Sequence, residues 1–139
     1  MSDSLRRPRS LCMAIAEKLR QRILAHEWVQ GTSLNEADIA RGYGVNRAPV
    51  REALKLLCHD GLLQAHPHHG MTVAVPSAAQ LREAQALQQW LGRFVREQGG
   101  GLPDNSLAHA MLRMAEQRVC LSHVPGAAAG WPAQRARVA

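Results

Sequence analysis

Three features of the sequence predict a mainly α fold with a small β-hairpin, followed by a short helical C-terminal segment. Apolar residues recur at helical spacing before residue 60, glycines and asparagines sit where short helices need to start and stop, and two strand-like runs flank Pro67 to Gly70. Composition agrees: hydrophobic residues make up 46% of the chain and aromatics only 4%, with a single Phe and a single Tyr. A β-sandwich core would draw more heavily on aromatics.

In chain order, residues 1–10 are polar and basic and are expected to form a flexible arm, with Arg6, Arg7 and Arg9 able to touch phosphate. From Leu11 to about His26, Cys12, Ile15, Ala16, Leu19 and Ile23 fall on one helical stripe, with Glu17, Lys18, Arg20 and Gln21 off it. Gly31 breaks that pattern, leaving Trp28 and Val29 to pack over the helix end. Ser33-Leu34-Asn35-Glu36 has a capping-box pattern, and Asn35 is itself a good N-cap, so either starts a second helix near residue 36.

Ile39, Ala40 and Tyr43 face inward on that short helix, which must stop at Gly44, where a residue without Cβ can turn left-handed. Asn46 is placed to cap a third helix, over about 46–58, with Pro49 in its first turn. Val50, Ala53, Leu54 and Leu57 form its buried stripe. Arg47, Arg51 and Lys55 cluster about 120° away on the helical wheel, so the spacing places cations in solvent at the start of an anchored helix. The runs 62–66 and 71–75 then make a hairpin wing, giving a winged helix-turn-helix domain over 11–76.

After Pro76, Leu81, Ala84, Leu87, Leu91, Phe94 and Val95 mark a helix from about Ala79 to Gln98, interrupted by Gly99-Gly100-Gly101. Leu107, Met111, Leu112, Ala115 and Val119 mark another from Asn105 to about Leu121. The segment 77–122 reads as a truncated helical effector or dimerisation module, and 123–139, rich in Pro, Gly and Ala, as disordered.

Several function classes lose support. No nucleophile, base and oxyanion set and no phosphate loop can be assembled, so an enzyme is not expected. Cys12, Cys58 and Cys120 lack CxxC spacing and read as buried thiols in a reducing compartment. His66, His68 and His69 lie on a turn without a carboxylate or Cys, so neither a metal nor another cofactor is expected. With no signal peptide and no long apolar run, the expected location is the cytoplasm, away from membranes. The formal net charge of +6 is spread over both halves and suits a phosphate-rich partner without requiring one.

The run Gly44-Val45-Asn46-Arg47-Ala48-Pro49-Val50-Arg51-Glu52-Ala53-Leu54, followed by Leu57, Asp60-Gly61-Leu62, Pro67 and Gly70, resembles the winged helix-turn-helix domain of GntR-family bacterial transcription regulators. The resemblance covers about residues 12–76, with Gln30 replacing the usual Pro before Gly31. It implies operator contacts from Asn46, Arg47, Ala48 and Arg51 on the recognition helix and from His69 and Gly70 at the wing. The partner implied is double-stranded operator DNA; a palindromic operator and a homodimer are expected because a short recognition helix needs two half-sites for affinity, and the expected role is that of a repressor. A protein-interaction winged helix that heterodimerises with a full-length relative is the competing reading.

Leu81-Arg82-Glu83-Ala84-Gln85-Ala86-Leu87 also looks like the first effector-domain helix of the FadR-like subfamily, whose ligand-binding domain is all helical. That resemblance implies a small carboxylate effector near a metal held by one Asp or Asn and three His. Here Gln88 and Gly92 stand where Arg and Glu are usual, the chain after Pro76 is too short for the whole domain, and Asn105-x-x-x-His109 supplies half of the metal motif.

Overall fold

The computed structural model describes residues 7–68 and 70–123, and the chain divides after Ala74 into two units. The first contains helix α1 (Arg7–Leu24), strand β1 (Ser33–Leu34), helices α2 (Glu36–Tyr43) and α3 (Arg47–His59), and strands β2 (Leu63–His66) and β3 (Gly70–Val73). The second contains helices α4 (Ala78–Glu97) and α5 (Leu107–Ser122).

Helix α1 begins at Arg7, so residues 7–10, expected in an arm, form its first turn. Pro8 suits that place, because an N–H is not needed there and its fixed φ is already helical. The expectations for residues 1–6 and 124–139 lie outside the described residues. The predicted α1 stripe is buried: Ile15, Ala16, Leu19 and Ile23 are each at most 4% exposed. They pack with Ile39 and Ala40 of α2 and with Val50, Ala53, Leu54 and Leu57 of α3 to form the core. Each fully buried Leu or Ile contributes about 1.5–3 kcal/mol, so this seam fixes which side of α3 remains in solvent. Cys12, expected to be buried, is half-buried, as are Cys58 and Cys120.

The sheet has three antiparallel strands in the order β1-β3-β2, rather than a hairpin alone. Ser33 lies opposite Thr72 and Leu34 opposite Met71. Ser33 is therefore in a strand instead of a capping box, and Asn35 is the N-cap of α2, its side chain accepting from the Ala37 and Asp38 N–H groups at 2.8 and 3.2 Å. Across the wing, Leu63 faces Val73 and His66 faces Gly70.

In the second unit, Ser77 caps α4 with a full capping box to Gln80. Helix α5, expected from Asn105, starts at Leu107 with Ser106 as its N-cap. The two helices bury Ala84, Ala115 and Leu121. Phe94, Leu107 and Met111, expected to be buried, are 46%, 76% and 41% exposed, and Trp90 is 73% exposed. A pair of helices has one internal seam, so apolar positions outside it have no facing surface within the unit.

Candidate nucleic-acid interface

Gly44 sets the angle between α2 and α3. Its φ of 63° is left-handed, and its N–H reaches back to the carbonyls of Ala40 and Arg41 while the Val45 N–H bonds Ala40 at 3.0 Å. These bonds satisfy the end of α2 and turn the chain directly into α3. Asn46 occupies the N-cap position of α3 with extended backbone, φ −69° and ψ 159°, but its side chain makes no capping bond. The capping role expected for it is absent, and its amide remains exposed beside Arg47 and Ala48, which are exposed too.

The α3 cations differ in what holds them. Lys55 Nζ lies 2.9 Å from Glu52 Oε1, one turn back on the same helix. Arg51 reaches across to α2: its Nε donates to Glu36 Oε2 at 3.1 Å and its Nη2 to Glu36 Oε1 at 2.6 Å. Among the described residues no ion pair holds Arg47, which acts on Glu36 through its charge alone. The hydrogen bonds from Arg51 hold the Glu36 carboxyl below its ordinary value, against the upward push of partial burial. The charges of Arg51 and Arg47 add to that effect. Arg20 of α1 pairs with Asp60 at the C-terminal end of α3, which ties α3 to α1 at the end away from Arg47.

A concavity of about 490 Å³ opens beside this face, lined by Leu11, Cys12, Asn46, Ala48, Pro49, Arg51 and Glu52. Burial first, and then the charge of Glu52, push the Cys12 thiol up, so it stays protonated. At the wing, Gly70 is exposed at φ 73°, and no heavy atom lies within 4 Å of where its Cβ would be. His68 is also left-handed, at φ 68°. His69 lies outside the described residues. His66 Nε2 lies 2.8 Å from Thr72 Oγ1, which spans the two wing strands.

Asn46, Arg47, Ala48 and Arg51 are thus gathered at the exposed start of α3, while Gly70 stands at the end of the hairpin. Sequence reading missed Glu36 as part of this face. Its signal was an acidic residue in the first turn of α2, which was read only as part of a helix start.

In the second unit, the Asn105–His109 pair is not on a helix face. Asn105 precedes the cap, and His109 Nδ1 lies 2.8 Å from the Oγ of the cap residue Ser106. Among the described residues no three His, Cys, Asp or Glu side chains converge to hold a metal ion. No described helix is long and apolar enough to cross a membrane.

Comparison with known proteins agrees with this geometry. Residues 11–73 match the family described as bacterial regulatory proteins, gntR family. The chain is 42% identical over 72 residues to an HTH-type transcriptional regulator in an unstable DNA locus of Streptomyces ambofaciens, a match spanning 52% of this chain and 30% of that protein. It is 29% identical over 92 residues to the HTH-type transcriptional repressor RspR of Escherichia coli K12, covering 66% of this chain and 40% of the repressor. The match therefore spans well under half the length of these two curated relatives, which are named as a transcriptional regulator and a transcriptional repressor. The crystal structure of a protein from Rhodococcus sp. RHA1 assigned to the GntR regulators aligns at a TM-score of 0.59 and 21% identity, over 81% of this chain and 72% of that one. That likeness concerns the fold, a mostly helical chain with a small antiparallel sheet. Over residues 11–73 the chain is thus similar to the bacterial regulatory proteins of the gntR family, and the helices and small antiparallel sheet of this region have the winged helix-turn-helix fold.

Proposed function

We propose that this chain is a sequence-specific DNA-binding transcriptional regulator acting as a repressor in the cytoplasm. As a homodimer it would place the start of α3 in the major groove, with the wing at the minor groove beside it. One observation carries the reading: Asn46, Arg47, Ala48 and Arg51 stand exposed at the N-terminal end of α3, whose opposite stripe is locked into the core. A helix anchored along one side, with donors at its free N-terminal end, matches the docking geometry of helix-turn-helix readers. The repressor role is supported by the name of the RspR relative, and two-fold assembly by the need of a short recognition helix for two half-sites.

Of the side chains at this face, Arg47 and Arg51 supply hydrogen-bond forks, Asn46 an amide that its own helix does not use, and Gly70 a backbone that can approach closely. A small carboxylate effector, the remaining finer reading, draws support only from the helix resemblance at Leu81–Leu87, since Asn105 and His109 do not form the expected pair.

Selection from fragmented genomic duplex at two salt concentrations tests the function. The expected result is retention of a palindromic site, with affinity falling steeply with salt as phosphate counterions are released. Arg47→Ala should weaken that site by roughly tenfold or more, which corresponds to about 1–3 kcal/mol for a lost base contact. Equal retention of all duplexes, or an Arg47→Ala protein that binds like the parent, would sink the assignment of α3 as the reader.

A further inference from the structure

The Glu36–Arg51 pair is placed and shaped for more than holding α2 against α3. Arg has five N–H donors in a planar fork. Glu36 takes the side edge of Arg51, Nε and one Nη2 hydrogen, at 3.1 and 2.6 Å. Among the described residues no hydrogen bond takes the terminal edge, both hydrogens of Nη1 and the second of Nη2, and the side chain is 56% exposed. That terminal edge can donate two parallel hydrogen bonds to O6 and N7 of a guanine.

We propose that Glu36 is a positioning residue for DNA reading, which fixes the Arg51 fork so that its free terminal edge recognises a guanine in the operator. This inference rests on the DNA-binding reading above. Two properties of the pair favour base reading over a phosphate contact. A phosphate is bound well enough by a swinging cation, whereas two parallel bonds to one base edge require a fork of fixed plane. The carboxylate also offsets the charge of Arg51 locally, which weakens attraction to any phosphate while leaving the donors intact. Glu36 is itself held steady, on the first turn of α2 directly after the Asn35 cap, where a helix N-terminus favours a carboxylate. It is the less exposed partner, at 27%.

The test compares the parent protein with Glu36→Gln, Arg51→Lys and the double variant, using the operator from the genomic selection, its single-base variants and random duplex. Far-UV circular dichroism and thermal melting confirm that each variant is folded. In Glu36→Gln, the ratio of operator to random-duplex affinity is expected to fall roughly tenfold, within the range for one bidentate contact. The loss should be confined to one guanine position per half-site, with affinity for random duplex unchanged or raised. Arg51→Lys keeps the charge but lacks the fork and should lose preference at the same position. In that background Glu36→Gln should have no further effect on base preference.

If Glu36→Gln binds operator and random duplex more tightly by the same factor, the pair only restrains binding and the inference is overturned. An unchanged base profile in Glu36→Gln overturns it too, while the DNA-binding reading stands. If the parent selects no site at all, the DNA-binding reading fails and takes the inference with it.

Discussion

At Gly44 a Cβ would meet nothing within 4 Å, yet φ is +63°. Any cost of a side chain there is therefore torsional, about 1–2 kcal/mol. Gly44→Ala should lose about that much stability in a urea titration, and Gly44→Asn less, because Asn tolerates the left-handed region; equal stability of all three would mean the turn is not left-handed in solution. Glu36 makes a prediction about pH. Its folded pKa is depressed from 4.5, chiefly by the Arg51 hydrogen bonds. A depressed carboxyl contributes stability above its unfolded pKa and loses it as pH falls through the folded value. Thermal stability should therefore decline below about pH 4.5, and the decline should be shallower in Glu36→Gln. An identical pH profile would show that the pair does not persist in solution. Gly44 was legible in the sequence because its role is local. The Glu36–Arg51 pair was not, because it joins residues 15 apart on two helices, and a helical wheel describes one helix at a time.

The same divide between local and non-local information governs the elements. Helices α1 and α3 were legible because their buried residues recur with the helical period, and the Asn35 cap because it bonds N–H groups two and three residues on. Strand β1 was not, since two residues cannot display alternation and its partner, β3, lies far along the chain. Its importance comes from that distance. Around it, Gly31 N–H bonds the Val73 carbonyl and Val73 N–H the Thr32 carbonyl, each at 2.9 Å, so the entry to α2 is stitched to the wing. Leu34, in this strand, is 4% exposed. Leu34→Ala should cost about 2–5 kcal/mol, as for other buried Leu truncations. Hydrogen exchange should show the Gly31 and Val73 amides losing protection along with the α3 core. Loss confined to the wing, with α3 untouched, would show that the sheet and the helices unfold separately. The starts of α3 and α5 show the limit of helix-start signals: Asn46 has the right residue type and backbone for a cap but makes no side-chain bond, and α5, expected from Asn105, starts at Leu107 behind a Ser106 cap.

For the whole molecule, the decisive quantity is the apolar surface left on the second unit. Trp90 and Phe94 of α4, with Leu107, Met111 and Met114 of α5, are exposed, while few residues of this unit are buried. Helical periodicity told which residues share a face, but which faces find a neighbour depends on surfaces that periodicity does not describe. In the proposed dimer a second copy would cover this surface. Sedimentation equilibrium should then give twice the 15.2 kDa chain mass. Trp90→Glu combined with Phe94→Glu should return the single-chain mass, because burying two carboxylates in an apolar contact is strongly unfavourable. The first unit carries its own core and the residues proposed to face DNA, so the variant should bind an isolated half-site as the parent does and lose the additional affinity for the full palindrome. If the variant stays dimeric, the second copy is held elsewhere; if it becomes monomeric but keeps full palindrome affinity, the second unit does not set the spacing of the two recognition helices.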